Sequence, residues 1–141
     1  MKVQEVLENY NSLKASITIV KGEIQELENE VLDAKSSNLD GMPKAKGFTS
    51  SSIENYIAEK QEKINNKKWY ITKTEIKLKI VEDLVKTLKK YNQDIIDMRF
   101  YQMMSIEEIA TKKNRGYGAI QKTIDRSIRI MQKEYNKNKM S

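Results

Sequence analysis

The side chains with the clearest chemical potential lie close together near the C-terminus, between residues 112 and 129. Arginine and lysine bind phosphate groups, while glutamine, tyrosine and small apolar side chains contact the edges of DNA bases. If this stretch forms a short helix, a turn and a second helix, these side chains share one exposed surface. The predicted DNA-binding residues are Lys112, Lys113, Arg115, Tyr117, Ala119, Gln121, Lys122, Arg126 and Arg129.

Within this set, the first residues of the second helix are expected to meet base edges in the major groove. Gln121 can pair with an adenine edge, and Lys122 can reach guanine or a phosphate. Tyr117 and Ala119 can touch a thymine methyl, with packing of Tyr117 against the turn as an equal alternative. The expected phosphate contacts, with a solvated face as the alternative for the last two, are Lys112, Lys113, Arg115, Arg126 and Arg129.

The helices that must position these side chains have clear local signals. Ser105 to Glu108 form a capping box, which predicts a short helix from there to about Lys113. Ala110 is small enough for a second helix to cross it, and Asn114 tolerates the left-handed backbone that a turn needs. The positions expected to face inward are Ile106, Ile109, Ile120, Ile124, Ile128 and Met131.

A further helix is expected to precede this pair. Asn92 is its predicted N-cap, and Asp94 would lie in the first turn, where the helix dipole favours negative charge. The apolar pattern breaks at residues 102–104, so the helix is expected to end there.

The C-terminal region is similar to the region-four DNA-binding domain of bacterial sigma factors. The resemblance covers residues 98–128, MRFYQMMSIEEIATKKNRGYGAIQKTIDRSI. It rests on the pair Arg99-Phe100, the run Ser105–Ala110 and the Gly118-x-Ile120 start of the second helix. The family resemblance implies that bases face Tyr117, Ala119, Gln121 and Lys122.

Two positions depart from the sigma-factor pattern. Arg115 replaces the usual aliphatic residue after the turn, and Gly116 replaces the usual Ser or Thr cap. The order of parts also resembles small phage transcriptional regulators of the ArpU/RinA type, in which a similar loop matches Asp40–Pro43. That resemblance implies an activator of late genes, encoded by a phage or prophage and working in the cytoplasm of a bacterial host.

The first part of the chain carries a heptad pattern typical of a coiled coil. A long helix is predicted over about residues 2–36, and its apolar positions recur at alternating steps of three and four. Such a helix must bury one narrow stripe against another helix. The stripe consists of Val3, Val6, Tyr10, Leu13, Ile17, Val20, Ile24, Leu27 and Val31.

A second long helix is predicted from a capping box at Ser51–Glu54 to about Tyr91. Its seam is apolar at both ends and polar in the middle, where Lys60 and Lys67 can lay their stems over apolar surface. Trp69 lies off this seam and is expected to pack in a core, with an exposed partner anchor as the alternative. The seam residues are Ile53, Ile57, Lys60, Ile64, Lys67, Ile71, Thr74, Leu78, Val81, Val85 and Leu88.

These patterns predict an all-α fold, with a long antiparallel coiled-coil helical hairpin followed by a C-terminal three-helix helix-turn-helix lobe. The hairpin would occupy residues 1–91 with a loop at 36–50, and the DNA-binding domain residues 92–141. A parallel dimer through the first helix is the alternative pairing, because heptads alone do not set the partner.

Composition excludes several classes of function. The chain has no Cys and no His, so disulfides, Cys/His zinc sites and histidine-based catalysis are ruled out. No apolar run is long enough to span a membrane. Residues 1–40 carry four Lys and eight acidic residues, whereas residues 105–141 carry nine basic and four acidic ones, which favours a polyanionic partner for the later part.

The sequence therefore predicts a non-enzymatic, sequence-specific DNA-binding transcriptional regulator that uses no cofactor and no metal. Its expected partner is double-stranded DNA; RNA polymerase and a second copy of the chain, through the coiled coil, are further candidates. The alternatives are a DNA-packaging protein like the phage terminase small subunit, and a purely structural coiled-coil protein.

Overall fold

The computed structural model describes residues 1–39 and 50–139, and every regular element in those ranges is helical, as the predicted all-α class requires. The α-helices are α1 (Val3–Glu8), α2 (Tyr10–Leu39), α3 (Ser50–Lys86), α4 (Lys90–Ile96), α5 (Ile106–Lys113) and α6 (Tyr117–Lys139). A π-helical segment, Asp97–Tyr101, continues α4. The contacts divide the chain into one unit of residues 1–14 and 76–141 and another of residues 15–75.

The unit of residues 15–75 is built on the predicted heptad positions. Ile24, Val31 and Ile64 are buried at its centre. Because these residues recur at heptad spacing, each helix turns the same narrow stripe toward the other. The partly buried apolar side chains around them are Val20, Leu27, Ile57 and Ile71.

Ion pairs flank this core and show the direction of the two segments. Lys60 Nζ lies 2.9 Å from Glu30 Oε2, and Lys67 Nζ lies 3.4 Å from Glu23 Oε2. A step of seven residues forward in α2 thus matches a step of seven backward in α3, so these segments run antiparallel. The same rule holds for the other two pairs, Lys68–Glu28 at 3.7 Å and Lys21–Glu75 at 3.8 Å.

The helix predicted over residues 2–36 is interrupted at Asn9. This residue leaves the helical conformation with φ −106° and ψ 12°. Its backbone N–H and its side-chain amide both donate to the Glu5 carbonyl, at 3.1 and 2.8 Å. Local side-chain bonds of this kind compete with regular helix. Helix α2 then continues to Leu39, and the rest of the predicted loop, residues 40–49, lies outside the described residues.

Helix α3 ends at Lys86, five residues before the predicted end. The Gln93 side-chain amide donates to the Leu88 and Lys86 carbonyls, at 2.7 and 3.2 Å, so it satisfies the last carbonyl of α3 and one in the connection to α4. Helix α4 therefore starts earlier than expected, with Lys89 at the N-cap and no side-chain cap. The predicted Asn92 cap is wrong: Asn92 lies inside α4.

In the unit of residues 1–14 and 76–141, helix α6 packs against α1, α4 and α5. The Val3 N–H donates to Gln132 Oε1 at 2.8 Å, and the Gln132 amide donates to the Met1 carbonyl at 3.2 Å. The predicted division at residues 91/92 follows motifs and stays a prediction. The contacts group the first fourteen residues with the C-terminal helices. The fully buried side chains here are Val3, Leu7, Val81, Ile95, Ile96, Ile109, Ile120, Ser127 and Met131.

The predicted core position of Trp69 is wrong, because 64% of this residue is exposed. Trp69 lies five residues after the seam residue Ile64, on the side of α3 that points away from the buried stripe. Among the described residues of the unit 15–75, no neighbouring helix covers an apolar side chain at this position.

Candidate nucleic-acid interface

Helix α5 begins with the predicted capping box. The Glu108 N–H donates to Ser105 Oγ at 3.1 Å, and the Ser105 N–H donates to Glu108 Oε1 at 3.4 Å. The predicted inner residue Ile109 is fully buried. The helix ends at Lys113, as expected, so its orientation is set at both ends by local sequence.

The turn after α5 has the predicted left-handed residue. Asn114 has φ 54° and ψ 47°. The Arg115 N–H donates to the Ala110 carbonyl at 3.0 Å, and the Asn114 N–H donates to the Thr111 carbonyl at 3.2 Å. This pair of bonds is the Schellman arrangement, which satisfies the last carbonyls of a helix. Residues 114–116 therefore form a short turn of the length found in helix-turn-helix motifs.

The inner face of α6 is largely the predicted one. Ile120, Ile124 and Met131 are buried, and Ile128 is half-buried. Ser127 is also fully buried, and its hydroxyl has no hydrogen-bond partner among the described residues. This face holds α6 against α4 and α5, which leaves the opposite face to solvent.

The outer face of α6 carries a cationic stripe, which we define as Lys122, Arg126, Arg129 and Lys133. All four residues are exposed. At 3.6 residues per turn they fall within an arc of roughly 60° and extend about 16 Å along the helix. None forms an ion pair or a hydrogen bond with a residue that the structure describes. Lys133 was missing from the sequence prediction, although the spacing 122, 126, 129 already points to it.

The first turn of α6 also presents predicted base-contacting residues to solvent. Tyr117 is 54% exposed, and Ala119 is exposed as well. Gln121 is half-buried, and its amide donates to the Asp125 carboxylate at 3.3 and 3.4 Å. Asp125 thus restrains Gln121 through its amide nitrogen, while the Gln121 Oε1 atom has no partner among the described residues.

The predicted phosphate contacts of α5 and the turn differ in environment. Lys112 is exposed. Lys113 has a side chain only 21% exposed, with its Nζ 3.6 Å from Asp94 Oδ2. The Lys113 ammonium and the Arg115 guanidinium both lie over the ring of Tyr91. These long-range partners, Tyr91 and Asp94, left no signal in the local sequence pattern.

The turn before α5 is held by Arg99, the first residue of the Arg-aromatic pair. Arg99 Nη1 donates to the Met104 carbonyl at 3.0 Å. Met103 between them adopts φ 59°. The Met104 N–H also donates to the Met98 carbonyl at 2.9 Å, so this bond and the guanidinium together fix the chain where it enters α5.

Away from this surface, two tyrosines form a cluster with acidic residues. Tyr10 donates to Glu82 Oε1 at 2.5 Å, and the Tyr10 and Tyr101 ring centroids are 4.3 Å apart. Burial raises the pKa of Tyr101 to about 12, with smaller contributions from Glu82 and Asp97. Burial and the bond to Glu82 likewise raise the pKa of Tyr10. Both phenols are protonated and uncharged at neutral pH. We therefore interpret the cluster as part of the packed core.

Within residues 1–39 and 50–139, no three His, Cys, Asp or Glu side chains are placed to hold a metal ion together. In the same ranges, no helix is both long and apolar enough to cross a membrane. The candidate site is the surface formed by the turn and α6, which carries the exposed cationic stripe. Comparisons of this chain with protein-family models, with curated proteins and with solved structures found no match.

Proposed function

We propose that this protein is a sequence-specific DNA-binding transcriptional regulator, encoded by a phage or prophage. Helices α4 to α6 form its helix-turn-helix lobe, and α6 is the recognition helix. Residues of the coiled-coil hairpin formed by α2 and α3 position this lobe or contact RNA polymerase. The protein acts on promoter DNA of late genes in the bacterial cytoplasm.

The cationic stripe on α6 is the observation that carries this proposal. An α-helix fits the major groove of B-DNA, and its first residues then reach base edges. Exposed cations along the same helix can contact phosphates on the groove walls and fix the register. The stripe follows a rigid helix whose opposite face is buried, so its charges are presented at fixed spacing.

The intrachain pairing of α2 and α3 bears on the choice of partner. The heptad stripe of residues 20–31 is already covered by α3 of the same chain. A homodimer through that stripe would have to break this core. A second copy, or a polymerase subunit, would therefore bind another surface.

The first experiment is a footprint of the purified protein on DNA from its own genomic neighbourhood, with random DNA as competitor. One discrete protected site that survives competition supports the proposed regulator. Weak binding everywhere, lost on modest addition of salt, would favour a packaging role. Absence of binding at low salt would favour the structural alternative.

The role of the stripe is tested by Arg126→Ala. Loss of one phosphate contact should weaken binding to all sequences and reduce the salt slope by about one unit. Fluorescence anisotropy with a labelled duplex over a salt series measures both quantities.

The matched control is Lys73→Ala, which removes an exposed charge from α3. This variant should bind like the wild-type protein. Equal loss in the two variants would mean that net charge, and not the α6 surface, drives binding.

A further inference from the structure

One aromatic ring holds both cations that flank the turn of the helix-turn-helix. The Lys113 Nζ lies 5.4 Å from the ring centroid of Tyr91, and the Arg115 guanidinium carbon lies 5.7 Å from it. A cation within about 6 Å of an aromatic centroid is attracted by the ring quadrupole. Tyr91 belongs to α4 and is 38% exposed, so its ring forms part of the surface beside the turn.

Lys113 and Arg115 differ in how much of their positive charge is free to bind an external ligand. Lys113 pairs with Asp94 Oδ2 at 3.6 Å, and Asp94 also receives Lys90 at 3.3 Å. The charge of Lys113 is therefore largely committed inside the fold. Arg115 is exposed, and its contact with the Tyr91 ring leaves its positive charge unneutralised.

We propose that Tyr91 is a positioning residue for DNA binding, which holds the Arg115 guanidinium ready for a phosphate at the turn. This inference rests on the proposed function. A guanidinium that lies over a ring keeps N–H donors at its edge, which is the geometry that binds phosphate oxygens. Because the side chain is ordered before binding, less conformational entropy is lost when the complex forms. Tyr91 acts through Arg115 and needs no contact with DNA.

A double-mutant cycle tests this role, with affinity for the footprinted duplex as the readout. Tyr91→Leu should weaken binding roughly two- to tenfold, the range expected when one long side chain must be ordered on binding. In an Arg115→Ala background the same substitution should have no further effect. Tyr91→Phe keeps the ring and should bind like the wild-type protein. Thermal melting of each variant confirms that it folds.

An independent readout uses the free protein. The Arg115 guanidinium N–H protons should show upfield ring-current shifts in NMR spectra, which Tyr91→Phe retains and Tyr91→Leu abolishes. Absence of these shifts from the wild-type protein would overturn the contact itself.

The outcomes separate the two proposals. If the wild-type protein does not bind DNA, the proposed function fails, and the role of Tyr91 fails with it. If the wild-type protein binds and Tyr91→Leu weakens binding equally in both backgrounds, only the positioning role is overturned. Tighter binding by Tyr91→Leu would also overturn it, since the ring would then compete with the phosphate for Arg115.

Discussion

At the scale of single residues, the turns before and after α5 depend on backbone conformations that few side chains tolerate. Asn114 and Met103 are the non-glycine residues with positive φ in the described part of the chain. Asparagine adopts this conformation readily, whereas an unbranched apolar residue does so at a cost of about 1–2 kcal/mol. Met103 also exposes 66% of its surface, so little burial offsets that cost. The Arg99 bond to the Met104 carbonyl and the Met104 N–H bond to the Met98 carbonyl together hold the turn in place.

Replacement of Met103 by glycine should therefore stabilise the protein. We expect Met103→Gly to raise the free energy of unfolding by roughly 0.5–1 kcal/mol, since glycine adopts positive φ without strain. Urea denaturation followed by circular dichroism measures the change. Met103→Ala keeps the unfavourable φ and should give no gain; an equal gain from alanine would show that loss of the methionine side chain, not backbone strain, is responsible.

At the scale of the elements, α3 has two unlike faces. One carries the seam, where the partly buried side chains of Lys60 and Lys67 reach Glu30 and Glu23 with their ammonium groups. The other carries Trp69, which is exposed. Charged residues inside a seam restrict the partners that a helix accepts. Here they match acids on α2 of the same chain, which favours the intrachain pairing.

The exposure of Trp69 gives a direct spectroscopic prediction, because it is the only tryptophan of the chain. Its fluorescence should already be that of a solvated indole in the folded protein, with little red shift on unfolding. Iodide quenching should reach most of the emission. Trp69→Ala should change the free energy of unfolding by no more than about 0.5 kcal/mol. A blue-shifted, quencher-resistant emission would show that another copy of the chain or a packed helix covers this face.

At the scale of the whole molecule, both units combine segments that are distant in sequence. In the unit of residues 1–14 and 76–141, Tyr10, Glu82 and Tyr101 come from three elements and meet in one aromatic and acidic cluster. The protonated phenols belong to the native state because burial disfavours the phenolate. The stability of this unit is therefore expected to fall at alkaline pH, where the phenols lose their protons.

For Tyr101, the folded-state pKa of about 12 lies above the ordinary value of 10.0. The folded protein binds this proton more tightly than the unfolded chain does, so its contribution to stability is complete below pH 10 and is lost as the pH rises toward 12. We expect the urea midpoint to fall across this window, and to fall less in Tyr101→Phe. Tyr56→Phe, in the other unit, serves as control and should retain the wild-type pH dependence. An identical pH profile in Tyr101→Phe would exclude this linkage.

The parts that sequence predicted correctly depend on short-range rules. The heptad steps around Ile24 and Ile64 gave the buried stripes, and Ser105 and Asn114 gave the two ends of α5. The features that the sequence did not predict correctly depend on contacts between residues that are far apart in the chain. Trp69 is apolar, but spacing does not show whether a neighbour exists to bury it. The commitment of Lys113 to Asp94 and Tyr91 required the packing of α4 beside α5, which no local pattern encodes.

The bond between Val3 and Gln132 joins residues 129 positions apart, and this has a consequence for biosynthesis. The unit of residues 15–75 is closed by contacts of much shorter separation, such as the 44 residues between Glu23 and Lys67. Short-range closure is faster and needs less of the chain. On the ribosome, the helical pair can thus assemble while α6 is still untranslated. The unit of residues 1–14 and 76–141 must wait for its last helix, with the first turns of the chain exposed until then.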